Sequence, residues 1–281
     1  MESLKDTRHY PAPDVRAGPA FRLTGMRLPA ALLAASLSLP AHGLQCEAQS
    51  GPHTAALVEL YTSEGCDSCP PADRWLQGLA GRGHAPGRVV PLSLHVNYWD
   101  YIGWKDPYAQ QRFADRQRRL AQVMRARIVY TPQVLLQGQD FRRWYAEDFD
   151  AAVARINARP AAARISLRLE TGRPDTLGAT VGAQLLDKAQ EADAGLYLAS
   201  YENKLVSKVA AGENRGRTLA HDYVVLEWTG PVPFTGGRAE ARRSLPLLPK
   251  AVPANSGVAA FVQNRRTGEV LQALMLPACP G

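Results

Sequence analysis

Apolar residues in the first half of the chain follow β-type and helical patterns in turn. Residues 56–62 (ALVELYT) and 89–96 predict two strands, and a helix follows each of them. A Pro-Pro pair at 70–71 opens the first helix, where a missing N–H group costs no hydrogen bond. Asp106 is predicted to cap the second helix, which ends near Met124.

The pattern continues with a short pair of strands and a third helix. Thr131 and Pro132 lead into a strand at 133–137, and a glycine turn separates it from a return strand at 140–142. A helix with apolar residues on one face then ends before Pro160. The predicted order of elements is βαβαββα.

Beyond the third helix, apolar and polar residues alternate. The alternation at 165–169 and 177–185 is typical of half-buried strands, and later apolar runs predict five more. These strands predict an all-β domain, a small sandwich. Within it, residues 212–216 have turn chemistry and precede His221 and Asp222, which favours a hairpin or crossover loop over a ligand site.

Residues 26–43 have the layout of a signal peptide. One arginine precedes an apolar run over 28–39, which is too short to cross a bilayer of about 30 Å as a helix. We therefore expect a periplasmic or secreted protein with no stable membrane insertion after signal cleavage. Its predicted parts are an upstream extension with the signal peptide at 1–45, an α/β domain at 46–160 and a β-rich domain at 161–281.

Composition and charge narrow the class of protein further. The 281 residues are 46% hydrophobic and 21% charged, which excludes a disordered or multi-span membrane protein. The net charge of +7 is moderate, and the arginines of the second helix lack interleaved aromatic residues and glycines. We expect no nucleic-acid partner.

The four cysteines fall into two pairs. Cys46 and Cys279 lie near the two ends of the mature chain, where a structural disulfide would tie the ends together; two independent thiols are the alternative. Cys66 and Cys69 are separated by two residues, and such a small ring suits chemistry better than bracing.

The arrangement of motifs resembles a known fold and a known family. The βαβαββα order, with Cys-x-x-Cys at the first strand-to-helix junction and Thr-Pro before the third strand, resembles thioredoxin. More closely, VELYTSEGCDSCPPAD, HVNYWDYIGWKDPYA and YTPQVLLQG are similar to the secreted bacterial family catalogued as domain of unknown function 1223 (DUF1223). The resemblance runs from about Thr54 to the C-terminal region. It implies an α/β thioredoxin-like domain with a redox-active disulfide, ahead of the all-β domain, and supplies no substrate.

The electrostatics of the first helix predict different roles for Cys66 and Cys69. The N-terminus of the first helix favours the thiolate of Cys66, which makes Cys66 the nucleophile and Cys69 the resolving thiol. A cis Pro132 would lie against the pair and leave the backbone of Thr131 free to bind an extended peptide. A trans Pro132 that starts an edge strand is the alternative.

These features predict an exported thiol-disulfide oxidoreductase without a bound cofactor. Its substrates would be protein or small-molecule disulfides and thiols, and the sequence does not identify its redox partner. One alternative is a copper-binding or copper-delivery protein that uses Cys66, Cys69 and His95. Secreted copper chaperones of thioredoxin-like fold space their cysteines by three residues, which this chain does not. The other alternative is a non-catalytic module in which the disulfide only braces a turn.

Overall fold

The computed structural model describes residues 44–146, 148–173, 175–249 and 251–279. The predicted extension and signal peptide at 1–45 lie outside this part, except for the two residues that begin the first strand. Within the described ranges, no helix is long and apolar enough to cross a membrane.

Strands make up most of the regular structure, and helices pack against them. The α-helices of the described residues are α1 (Pro70–Gln77), α2 (Gln111–Val123) and α3 (Asp148–Asn157). The strands are β1 (Leu44–Gln49), β2 (Ala56–Thr62), β3 (Val89–His95), β4 (Gln133–Leu136), β5 (Gln139–Asp140), β6 (Ala163–Arg173), β7 (Thr176–Leu185), β8 (Ala194–Glu202), β9 (Leu205–Lys208), β10 (Thr218–His221), β11 (Val224–Pro233), β12 (Arg238–Pro246), β13 (Ser256–Asn264) and β14 (Val270–Pro277).

The first half of the chain has the predicted order of elements, β2-α1-β3-α2-β4-β5-α3. Successive side chains of β2 point to opposite faces of the sheet. Val58 and Leu60 pack with α1 and α3, whereas Leu57 and Tyr61 pack with Phe113 of α2. The helices therefore cover both faces of this part of the sheet.

The predicted fold class, an α/β thioredoxin-like domain followed by a separate all-β domain, is wrong. One eight-stranded sheet contains strands from both halves of the chain, in the order β14-β13-β8-β11-β3-β2-β4-β5. The halves join where β11 runs parallel to β3. There Val224 pairs with Ser93, and the Ser93 amide donates to the Tyr223 carbonyl over 2.8 Å. Four late strands therefore extend the sheet that the first half begins.

The burial of β8 and β13 explains why the halves join. Each strand has nine residues, and all of them are buried. A strand buried on both faces needs cover on both sides. In β8, Leu198 packs with Leu167 of β6 on one face, while Tyr197 packs with Phe113 of α2 on the other. A free-standing sandwich would leave the second face without its helix.

A second, four-stranded sheet lies over one face of the late strands. Its order is β1-β6-β7-β12, and all its pairs are antiparallel. Inward residues of both sheets form one apolar cluster. A disulfide joins Cys46 of β1 to Cys279, which follows β14. This bond fastens the first strand of the small sheet to the end of the large one.

A buried ion pair fixes α2 against the late strands. The Arg116 guanidinium donates to both carboxylate oxygens of Glu59 on β2, over 2.6 and 3.0 Å, and both side chains are almost fully buried. Burial lowers the pKa of Arg116, but the charge and hydrogen bonds of Glu59 and the nearby tyrosines together raise it by more, so the net pKa lies above its ordinary value. The guanidinium also lies 4.6 to 5.2 Å from the ring centroids of Tyr197, Trp228 and Phe261.

The second helix begins four residues later than predicted. Asp106 does not cap it; the N-cap residue is Gln110, which has extended backbone angles. The Asp106 carboxylate accepts hydrogen bonds from the amides of Tyr108 and Glu64 and from the His95 ring. Those partners hold it in a turn that precedes the helix.

Candidate functional site

The Cys66–Cys69 disulfide lies in the turn between β2 and α1. Cys69 is the N-cap residue of α1, and its carbonyl accepts hydrogen bonds from the amides of Ala72 and Asp73. Pro70 occupies the first helical position, where its fixed φ suits the helix and its missing N–H is not needed. The disulfide therefore closes a small ring of residues 66–69, here called the ring, at the start of α1.

Both cysteines of this ring are fully buried, at 0% exposure. The two residues between them, Asp67 and Ser68, are exposed. The Ser68 hydroxyl lies 3.3 Å from the Cys66 sulfur, within hydrogen-bond distance for sulfur. The ring thus presents its polar edge to solvent while the sulfurs lie beneath other parts of the protein.

Residues 209–217, here called the cap loop, cover the ring. They connect the antiparallel strands β9 and β10, so the predicted hairpin at 212–216 is a loop of this pair. Buried Asn214 donates through Nδ2 to the carbonyls of Glu64 and Cys66, over 2.9 and 2.8 Å. The Glu213 carboxylate accepts from the Asp67 amide over 3.0 Å. Side chains from the C-terminal half therefore hold the backbone around Cys66.

The cap loop also packs on the aromatic segment after β3, residues 97–104. Gly212 has a φ of +73°, and a Cβ atom there would lie 3.1 Å from the Ile102 side chain. The position thus favours glycine both by its backbone conformation and by lack of space. From the same segment, Trp104 donates through Nε1 to Glu64 over 2.8 Å.

The Thr131–Pro132 peptide bond is cis, and Trp99 connects this segment to the ring. The Trp99 indole donates to the Thr131 hydroxyl over 2.7 Å. The Cβ atom of Trp99 lies 3.1 Å from the position that a Cβ on Gly65 would occupy, directly before Cys66. Trp99 therefore contacts both the Thr131–Pro132 segment and the turn before Cys66.

A cluster of buried ionisable side chains lies next to the ring. The Glu64 carboxylate bonds to the His221 ring Nε2 over 3.1 Å, and the His95 ring Nδ1 donates to Asp106 over 2.7 Å. The two imidazole rings meet edge to face, with centroids 4.9 Å apart. Asp73, one turn after Cys69, bonds to the hydroxyl of a β2 threonine. We call Glu64, Asp73, His95, Asp106 and His221 the buried cluster.

Several pKa values in the buried cluster are shifted. Burial lowers the pKa of His95, but the charge and hydrogen bond of Asp106 and the charges of Asp73 and Glu64 together raise it by more, so the net shift is upward. Burial raises the pKa of Asp106, but the His95 imidazole and the amides of Glu64 and Tyr108 together lower it by more, so the net shift is downward. Burial raises the pKa of Asp73, and the charges of the two imidazoles oppose that shift only in part. Both shifts favour the charged forms, the imidazolium of His95 and the carboxylate of Asp106.

The structure does not bring Cys66, Cys69 and His95 together as a metal site. The two sulfurs are bonded to each other, and the Nδ1 atom of His95 is bonded to Asp106. Across the described part of the chain, no group of three or more histidine, cysteine or acidic residues could hold a metal ion.

Sequence reasoning missed the residues that surround the ring from far along the chain. Asn214 and His221 are 148 and 157 positions from the residues they bind, and no local pattern links them. The nearest signal was the turn chemistry at 212–216, which indicated a loop but gave no location for it. Glu64 lies in the segment that leads into the Cys-x-x-Cys motif, but nothing in the sequence showed that its side chain is buried.

We expect the Asn214→Ala variant to expose the ring more often. Two hydrogen bonds to backbone carbonyls would be lost, and at about 1 kcal/mol each their loss should speed native-state reduction of the Cys66–Cys69 disulfide by about tenfold or more. Dithiothreitol reduction followed by alkylation and mass spectrometry measures the rate.

Asn157→Ala is the matched control, because Asn157 also donates two hydrogen bonds through Nδ2 to backbone carbonyls, at the end of α3. Equal reduction rates in the two variants would show that Asn214 does not hold the cap loop closed.

The fold and the site together define a mostly β protein, with helices packed on its larger sheet and a buried Cys-x-x-Cys disulfide. Two solved structures share the fold. The protein AGR_C_4864 from Agrobacterium tumefaciens is 24% identical, with a TM-score of 0.55 over 83% of this chain and 98% of that one. HBP35 of Porphyromonas gingivalis is 15% identical, with a TM-score of 0.63 over 82% of this chain and 76% of that one. Identities this low establish the fold alone.

Family membership follows from the sequence itself. The signature of the family described as "Protein of unknown function (DUF1223)" matches residues 57–263, and the chain belongs to this family. The predicted membership is thus confirmed, whereas secretion stays a prediction. No curated protein matches the chain.

Proposed function

We propose that this protein exchanges thiols and disulfides through Cys66 and Cys69. The observation that carries the proposal is the disulfide between these two residues at the first turn of α1. A helix N-terminus has unpaired N–H groups and a partial positive charge, which favours a thiolate over a thiol. The Ser68 hydroxyl, 3.3 Å from the Cys66 sulfur, is a further donor for that thiolate.

The proposed exchange uses the two sulfurs in different roles. In the reducing direction, the Cys66 thiolate attacks a substrate disulfide, forms a mixed disulfide and releases one substrate thiolate. The Cys69 thiolate then attacks the Cys66 sulfur, which re-forms the internal disulfide and releases the second substrate thiolate. Thr131 and Pro132 are proposed to contact the substrate, since Trp99 links their segment to the ring.

The burial of both sulfurs limits how a substrate can reach them. Because Cys66 and Cys69 are fully buried, exchange requires the cap loop to move away from the ring. We propose that the substrates are protein or small-molecule disulfides and thiols that react while the loop is displaced. Two disulfides in one chain are compatible with an exported protein, and the periplasm or the extracellular space is the proposed location.

The same burial favours a second candidate function, a structural disulfide without exchange activity. A bond that solvent does not touch is protected from reductants and could serve only to hold the turn before α1. The two candidates differ in whether the native protein can be reduced at this bond.

An exchange assay tests the proposal directly. We expect wild-type protein to accelerate the reduction of insulin disulfides by dithiothreitol, and we expect Cys66→Ser to fall to the uncatalysed rate because the attacking sulfur is gone. The double variant Cys46→Ser/Cys279→Ser is the control, which keeps the ring and should keep activity. An inactive wild type whose Cys66–Cys69 bond resists dithiothreitol in the native state would establish the structural role.

A further inference from the structure

The charges of the buried cluster are balanced by groups that can lose a proton. Its members come from five elements: the turn after β2, α1, β3, the turn before α2, and β10. The charged groups that act most strongly on Asp73, His95 and Asp106 are other cluster members, and no lysine or arginine is among them. Tyr108 also faces the cluster, and Glu202 of β8 acts on Tyr108.

A buried carboxylate of the eight-stranded sheet, that of Glu59, is neutralised differently. Glu59 has a permanent cation, Arg116, as its partner. Beside the disulfide, the partners of Asp106 and Glu64 are the imidazoles of His95 and His221, and histidine is the side-chain type that can gain or lose a proton in the physiological range. This difference allows the cluster to gain and lose protons under conditions where the Glu59 pair stays fixed.

Each imidazole has one ring nitrogen free for proton transfer. Nδ1 of His95 and Nε2 of His221 bond to carboxylates, whereas the opposite nitrogens are buried and have no hydrogen-bond partner among the described residues. A proton can therefore be added to or removed from the free nitrogen without breaking the bond to the carboxylate.

The cluster is connected to both ends of the ring. Glu64 lies two residues before Cys66, and Asn214 binds the carbonyls of both. Asp73 lies one turn after Cys69 and donates its amide to the Cys69 carbonyl. On a helix, side chains four positions apart lie on the same face. Asp73 therefore connects the buried cluster to the Cys69 end of the disulfide.

Opening a buried disulfide creates a charge that must be neutralised. When a thiolate attacks Cys66, the electron pair of the broken bond passes to the Cys69 sulfur. Burial strongly disfavours a thiolate there, because the sulfur has no contact with water. A proton delivered at this moment stabilises the leaving sulfur.

We propose that the His95–His221 imidazole pair, with its carboxylate partners, is a proton store that protonates the Cys69 sulfur when the disulfide opens. This inference rests on the proposed exchange function. A substrate dithiol supplies both electrons: its first thiolate bonds to Cys66, and its second attacks that mixed disulfide and releases the Cys66 thiolate. The protons that the dithiol loses on ionising enter solvent, from which the store refills. On reoxidation, Cys69 gives its proton up again.

The test measures, as a function of pH, the rate at which dithiothreitol reduces the Cys66–Cys69 disulfide. Each rate is divided by the concentration of the dithiothreitol thiolate at that pH, which gives the corrected rate. Histidine side chains lose their proton as pH rises, so the store empties and the corrected rate should fall. General acid catalysis commonly contributes 10² to 10⁴-fold, so we expect a fall of about tenfold or more across this step. His221→Gln should abolish the step or move it.

His84→Gln is the matched control. His84 is buried, bonds through Nε2 to Asp150 over 2.8 Å and has an unpartnered Nδ1, but it packs on Phe149 away from the ring. Its profile should match that of the wild type. A His221→Gln profile superimposable on the wild type would overturn the inference, and so would a wild type without any step between about pH 5 and 9.

The two proposals fail separately in these experiments. The pH profile follows reduction of the protein's own Cys66–Cys69 bond and does not require the protein to act on any substrate. A pH step in a protein that is inactive on insulin would contradict the proposed function alone. Catalysed exchange with an unchanged His221→Gln profile would contradict the proton store alone.

Discussion

The Cys69→Ser variant should hold a mixed disulfide at Cys66 that lives about 10³ times longer than in the wild-type protein, or more. The reason is that Cys69 attacks within the same ring, and well-placed intramolecular groups reach effective concentrations of about 10⁵ M or more, whereas added thiols are millimolar. Incubation with a protein or small disulfide, acid quenching and mass spectrometry would count the adduct over time.

Two companion variants make this result specific. Cys66→Ser should form no adduct, because the remaining Cys69 thiol is not the attacking sulfur of the proposed mechanism. Cys46→Ser/Cys279→Ser should resolve its adducts as fast as the wild type. If Cys66→Ser instead trapped substrate and Cys69→Ser did not, the roles of the two sulfurs would be reversed.

The Glu59→Gln variant should lose about 3 to 5 kcal/mol of unfolding free energy, since it leaves a buried guanidinium without its counter-ion. The three aromatic rings around Arg116 cannot replace a carboxylate, because cation–π contacts are worth about 0.5 to 2 kcal/mol. Urea denaturation followed by circular dichroism measures the change.

A second pair on the same helix provides the matched control. Arg112 of α2 also reaches a late strand, where it binds Glu227 over 3.3 Å, but both side chains are more than one third exposed. Glu227→Gln should therefore change stability by about 1 kcal/mol or less. Similar losses in the two variants would mean that burial does not set the strength of the Glu59 pair.

Local signals predicted the first half of the chain well. The Pro-Pro pair at 70–71, the Gly138 turn and the helical spacing up to Ile156 each depend on neighbouring residues, and the order of elements they predict is the order found. The start of α2 was wrong because Asp106, a good capping residue, binds His95 and the Glu64 amide instead. Tertiary contacts there outweighed a local preference.

The joining of the two halves could not be predicted from local patterns. The contact between β11 and β3 depends on one register position, Val224 with Ser93, which are far apart in sequence. The strand positions after residue 160 were largely predicted, but alternation shows only that one face is buried. Full burial of β8 and β13 required knowing that α2 covers their second face.

The candidate site could likewise be predicted from the sequence only in part. Cys66, Cys69 and Thr131-Pro132 were recognisable because their spacing and position carry chemistry on their own. The cap loop and the buried cluster were not, because Asn214 and His221 acquire their roles only when β9 and β10 fold back over the ring.

The covering of Cys66 by Asn214 implies an order of events during synthesis. The two residues are 148 positions apart, so both cysteines of the ring leave the ribosome long before the segment that buries them. The nascent chain presents these thiols without cover to any oxidant or partner it meets. The finished protein presents them only through the cap loop. Folding of the C-terminal half over the ring therefore ends the period in which an oxidant can reach the two thiols freely.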